Sequence, residues 1–166
     1  MLKIGYKLMS EEHGPAELIR NAQRAEKAGF DFAAISDHYF PWLPDAPFAW
    51  AVLGGLAQAT KRLGLMTAVT CPIMRYHPAI VAQAAATLGV MSDGRFSLGL
   101  GVGERLNEHV VAAGWPGVVE RHERLGEALT SSRDCSRARS PRTAAGTSSS
   151  TMPSCSIVRR ESPPSL

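Results

Sequence analysis

Cysteine is scarce: Cys71, Cys135 and Cys155 in 166 residues are too few and too scattered for a disulfide framework or a zinc module. Long apolar runs are missing as well. None reaches the roughly 18 residues that span a bilayer, which excludes a bundle of membrane helices. Residues 2–6, LKIGY, follow Met1 with no leader pattern, so a cytoplasmic protein with no membrane partner is expected. A surplus of one charge sign is also lacking where a globular part would need it. Lys and Arg number 18 against 15 Asp and Glu, but six of the arginines and only two of the acids fall after Ser132. Twelve basic and thirteen acidic residues remain before that point. The sequence pI near 9.0 therefore belongs to the tail, and no nucleic-acid partner is expected.

What is present divides near residue 130. Residues 1–130 alternate apolar runs with amphipathic ones, whereas residues 131–166 are rich in Ser, Arg and Pro, which predicts a disordered tail. In the first part the spacing predicts strands over 2–7, 32–36, 63–69 and 95–101. Helices are predicted over 15–28, 47–61, 78–91 and from 120 to 129. Pro15 and Pro78 suit first helical turns, and Gly29 suits a helix stop. Strands apolar on both faces, each followed by a helix, imply a parallel sheet covered by helices. A doubly wound sheet and a (β/α)8 barrel both satisfy that pattern, and both gather chemistry at the carboxyl ends of strands.

Those ends carry Ser36-Asp37-His38, Thr70-Cys71-Pro72 and Gly101-Val102-Gly103-Glu104. His38 is a residue that passes protons near neutral pH, and a neighbouring acid such as Asp37 orients it or meets a cofactor. The same dipeptide also occurs as a loop cap beside a surface imidazole, and the two residues alone leave both open. The stretch GLGVGE, residues 99–104, lets backbone approach a ligand closely, with Glu104 as a second acid or base. It departs from the dinucleotide fingerprint, which asks for glycine at Glu104, so a nucleotide phosphate loop is disfavoured; a plain tight turn remains open. Cys71 reads first as a small buried residue. Tyr39, Phe40 and Trp42 either line a pocket or cover a rim. His38, Asp37 and Glu104 have no metal-ligand spacing, and no metal is expected.

In order along the chain, the blocks SDHYFPW, APFAWAVLGGLAQAT, TCPIMRYHPAIVAQAAATL and SDGRFSLGLGVGERLNEHV, then GWP, resemble the luciferase-like oxidoreductases that use coenzyme F420, a deazaflavin. They are most similar to the branch related to F420-dependent glucose-6-phosphate dehydrogenase, and the resemblance runs from about Lys3 to Leu129. It implies the N-terminal half of a (β/α)8 TIM barrel and hydride transfer between an organic small-molecule substrate and F420. It further implies His38 and Glu104 as catalytic residues, Trp42 as a wall of the substrate pocket, and Asp37, Cys71, Val102, Gly103 and Asn107 at the cofactor. Cys71 and Val102 stand where the family has hydroxyl residues. A homodimer is the family expectation.

Such barrels need about 250 residues, and here the pattern stops after four strands. The codons of residues 155–159, CSIVR, allow a one-base shift that reads Leu-Phe-Asp-Cys-Pro, a family-like segment. A frameshift near Thr130, and weak or no F420 binding by this chain alone, are therefore expected. Two other readings stand beside the first: an FMN-dependent luciferase-type monooxygenase using molecular oxygen, and a non-catalytic barrel remnant with unpaired edges near Leu2 and Phe96.

Overall fold

The structure is a computed structural model that describes residues 2–40 and 47–138, the last six by backbone alone. Four short strands, β1 (Gly5–Leu8), β2 (Phe32–Ile35), β3 (Gly64–Thr67) and β4 (Phe96–Ser97), form one parallel sheet in the order β1-β2-β3-β4. Helices α1 (Pro15–Lys27), α2 (Ala49–Ala59) and α3 (Pro78–Met91) follow the first three strands. Neighbouring helices pack on one another, α1 on α2 and α2 on α3, as they do when all lie along the same face of the sheet. A doubly wound sheet would reverse its strand order and cover both faces. Sequential order with helices along one face is the winding of a (β/α)8 barrel, and four of its eight strands lie within the described residues.

Register explains which residues face where. Tyr6, Ala33, Leu65 and Phe96 share one row, and Leu8, Ile35 and Thr67 another. These rows point towards the helices. Leu8, Ala33, Ile35 and Leu65 meet Leu18 and Ala22 of α1, Leu53 and Leu56 of α2, and Leu88 of α3 in one core. The alternate rows point to the concave side: Gly5, Phe32 and Gly64, then Lys7, Ala34, Met66 and Ser97. A side chain on Gly5 would overlap the Phe32 ring, so glycine there lets the ring lie across the sheet.

Two charged side chains tie the amino-terminal end of the sheet together. The Glu26 carboxylate of α1 accepts from the amides of Lys61, Arg62 and Leu63 at 2.8, 2.5 and 2.9 Å. Arg95 donates to the carbonyls of Ala57, Thr60 and Leu63, satisfying acceptors that the end of α2 leaves free.

The expected elements are recovered, most of them shorter, α3 over its expected span and α5 longer. α2 stops at Ala59 because Thr60 turns extended, its hydroxyl donating back to the Leu56 carbonyl at 2.7 Å. β4 stops at Ser97, and pairing resumes only as the bridge between Thr70 and Leu100. A one-turn helix, α4 (Arg105–Glu108), and a 3-10 turn at His109–Val111 follow β4 and were not predicted. The helix expected over 120–129 is α5 (Val118–Ala138), which packs on α3 and runs on past residue 130. Trp42, and the predicted tail from residue 139 onward, lie outside the described residues.

Candidate active site

All four strands deliver polar residues to one rim. The loop after β1 brings Glu11, the loop after β2 brings Ser36, Asp37 and His38, the loop after β3 brings Thr70 to Tyr76, and β4 leads through its glycines to Glu104 and α4. Successive residues of an extended chain point to opposite sides, and that alternation separates Asp37 from His38.

His38 is the residue at the opening. Its side chain keeps 28% of its surface exposed; Nδ1 stands 3.5 Å from Glu11 Oε1, and Nε2 stands 4.0 Å from Glu104 Oε1. Neither approach has hydrogen-bond geometry. Among the described residues, His38 Nδ1 and Glu11 Oε2 are buried atoms without a hydrogen-bond partner. Behind them, Lys7 on the concave row donates to Ser36 Oγ at 2.7 Å and lies 3.7 Å from Glu11. Burial pushes the Lys7 ammonium below its ordinary value, against the opposing pull of Glu11. Burial would raise the Glu11 carboxyl, but its own backbone amide, Ser36, Lys7 and His38 outweigh it and hold the group below the usual carboxylate range.

Asp37 turns the other way. Its side chain has no exposed surface. Oδ2 accepts from Trp50 Nε1 at 3.1 Å and from Thr70 Oγ1 at 2.7 Å, while Oδ1 accepts from Tyr76 OH at 3.0 Å and from Arg75 at 3.3 Å. Arg75 also donates to the Asp37 carbonyl at 2.7 Å, and its Nε lies 3.7 Å from Glu108. The Arg75 amide donates to Glu108 Oε2 at 3.0 Å. Burial raises the Glu108 carboxyl, partly offset by Arg75.

The remaining predicted residues pack beneath this network. Cys71 is buried, and burial, reinforced by Glu108, pushes its thiol up to about 11, so it is a protonated packing residue at neutral pH. Gly103 has φ +72°, and a Cβ there would lie 2.5 Å from Cys71 Sγ. A Cβ on Gly101 would lie 2.6 Å from Val69 Cγ2, and one on Gly99 would overlap the Thr67 carbonyl. The alternate glycines thus let the chain after β4 lie flat against residues 67–71. That close approach accounts for the glycine run without a phosphate. Val102 is half-buried between Gly101 and Gly103. Asn107 is buried; its Oδ1 accepts from the Tyr39 and Phe40 amides at 2.8 and 3.1 Å, and Nδ2 donates to Glu104 at 2.5 Å.

Predicted residues His38 and Glu104 thus come together, with Asn107 bracing Glu104. Sequence reasoning missed Glu11, Lys7, Arg75, Tyr76 and Glu108. Glu11 had a signal: it lies in the polar run Ser10 to His13 that follows the first strand, at the same kind of strand end as His38 and Glu104.

Residues 2–165 match the family model described as luciferase-like monooxygenase. The chain belongs to that family. Among curated relatives, the F420-dependent glucose-6-phosphate dehydrogenase of Intrasporangium calvum is 48% identical over 136 residues, covering 78% of this chain and 41% of that protein. Among solved structures, an F420-dependent secondary alcohol dehydrogenase in complex with an F420-acetone adduct aligns with TM-score 0.75 and 43% identity, covering 79% of this chain and 41% of that one. A coenzyme F420 dependent tetrahydromethanopterin reductase from Methanopyrus kandleri aligns with TM-score 0.60 and 30% identity, over 69% of this chain and 31% of that one. The chain spans about two fifths of the length of the curated relatives it matches.

Proposed function

We propose that this chain carries the cofactor-facing half of an F420-dependent oxidoreductase, which moves a hydride between a substrate carbon and the deazaflavin. The observation that carries the reading is His38, held at the open end of β2 between Glu11 and Glu104. The residues fit a flat redox ring. Val69, two residues past β3, exposes 46% of its surface, Gly101 gives it room, and the His38 side chain keeps 28% of its surface exposed at the rim. F420, when bound, supplies the two-electron acceptor at C5 of the deazaflavin.

The chain's own residues handle protons. For a carbon bearing hydrogen and hydroxyl, His38 takes the hydroxyl proton as the hydride leaves, and the ionised Glu11 stabilises the imidazolium that results. Glu104, 55% exposed and 4.0 Å from His38 Nε2, would serve as the second acid or base beside the acceptor. Glucose 6-phosphate and secondary alcohols, in the names of the relatives, share that kind of carbon, and an alcohol or hemiacetal is the substrate class. A sugar phosphate is not specified by these residues: Lys7 is committed to Ser36 and Glu11, and Arg75 to Asp37 and Glu108.

Titrating the purified chain with F420 and, separately, with FMN by fluorescence tests the reading. The expected result is weak but saturable F420 binding, with a dissociation constant on the order of 100 μM, about −5.5 kcal/mol, and weaker binding of FMN. Saturation by FMN without F420 binding, or no saturation by either, would overturn it.

A further inference from the structure

We propose that Asp37 and Arg75 form a buried positioning pair that sets the loops bearing His38 and Asn107, and that the Asp37 carboxylate is not a ligand of whatever binds at the rim. The term positioning rests on the function proposed above; the geometry does not. An ionised carboxylate offers about four lone-pair sites. At Asp37 all four are taken, by Trp50, Thr70, Tyr76 and Arg75, and the side chain is fully buried. A cofactor group would have to displace one of these donors and leave it unpaired.

What the pair does follows from where its partners sit. Thr70, Arg75 and Tyr76 belong to the connection after β3, Asp37 to the loop after β2, and Glu108 to α4 after β4. Arg75, only 8% exposed, reaches both acids. One guanidinium therefore ties three strand ends together. Asp37 is the chain neighbour of His38, and Glu108 is the chain neighbour of Asn107. Asn107 in turn accepts the amides of Tyr39 and Phe40 and donates to Glu104. His38 and Glu104 thereby hang from the same buried ionic centre by one peptide unit on one side and one side-chain amide on the other.

The test is amide hydrogen exchange of the purified chain, read by mass spectrometry on peptides covering residues 36–40 and 104–111, for wild type, Asp37→Asn, Arg75→Met and the double variant. F420 titration runs alongside. Breaking either side of a buried pair leaves the other uncompensated, so each single variant should lose about ten- to hundredfold of the protection in both peptides. The double variant should lose no more than the worse single one, since coupled sites are not additive. Thr70→Val and Tyr76→Phe each remove one donor with little change of shape, and should lose less protection in the same two peptides. They keep the question open to test if the charge variants do not fold. Loss of F420 affinity in Asp37→Asn with both peptides as protected as in wild type would overturn the proposal, as would additive losses in the double variant. If wild type fails to bind F420, the function reading falls while the exchange data still decide the pair.

Discussion

His38 Nδ1 and Glu11 Oε1 stand 3.5 Å apart across the ends of β2 and β1, two loops that only strand pairing brings together. The relationship makes Glu11 a charged group by design of its surroundings: Ser36, Lys7 and His38 all favour its ionised form. The consequences can be measured on folding and reactivity.

Glu11 should make stability depend on acid. Its folded pKa is lowered, so the stabilisation is present above the unfolded carboxylate value of about 4.3 and is lost as pH falls through the folded value. Denaturant unfolding of wild type and Glu11→Gln should therefore differ most near neutral pH and converge in acid. A gap that widens below about pH 4 would contradict the direction.

Cys71 should resist thiol reagents in the folded chain. Its thiol is raised to about 11, first by burial and then by Glu108. Site-resolved labelling by iodoacetamide should be slow at pH 8 and become rapid on unfolding. Because the folded pKa is raised, stability is intact below the unfolded value of about 8.5 and declines as pH climbs from there towards 11. Cys71→Ser should flatten that alkaline decline.

Gly103 should tolerate no side chain. An alanine there would hold φ +72° and press its Cβ against Cys71 Sγ, and the left-handed backbone alone costs about 1–2 kcal/mol. Gly103→Ala is expected to lose about 3 kcal/mol in denaturant unfolding, contact strain included. Adding Cys71→Ala should restore part of it, never all, since the backbone cost stays. Full restoration would show that the contact, not the conformation, had governed the loss.

Glu26→Ala should destabilise without touching the rim. Three amides just before β3 lose one shared acceptor. The site is partly exposed, so the expected loss is about 1–2 kcal/mol at pH 7. Glu26 also titrates below its ordinary range, because the amides and Arg62 outweigh burial. The difference from wild type should shrink as acid protonates it.

The order of strands and helices was legible because a parallel strand buried on both faces leaves a run of apolar residues, and each helix leaves a proline, a periodic stripe or a glycine stop. Strand ends were less legible. The expected strand over 95–101 contains two glycines whose hydrogen atoms face residues 67–71, and nothing local announces that a neighbouring chain lies so close. The helix at Arg105–Glu108 was too short to show a period.

By itself the sequence determined that βα units follow one another, that catalysis-capable residues cluster at strand ends, and that His38 and Glu104 lie on two of them. Adjacent letters could not show that Asp37 and His38 part company, one into a saturated ionic centre and the other to the opening. Nor could they show that Glu11 reaches His38, or that Arg75 links three loops. Those outcomes belong to the tertiary structure. Side-chain direction and through-space distance are set by register between strands, and register is a property of the sheet rather than of any segment of the chain.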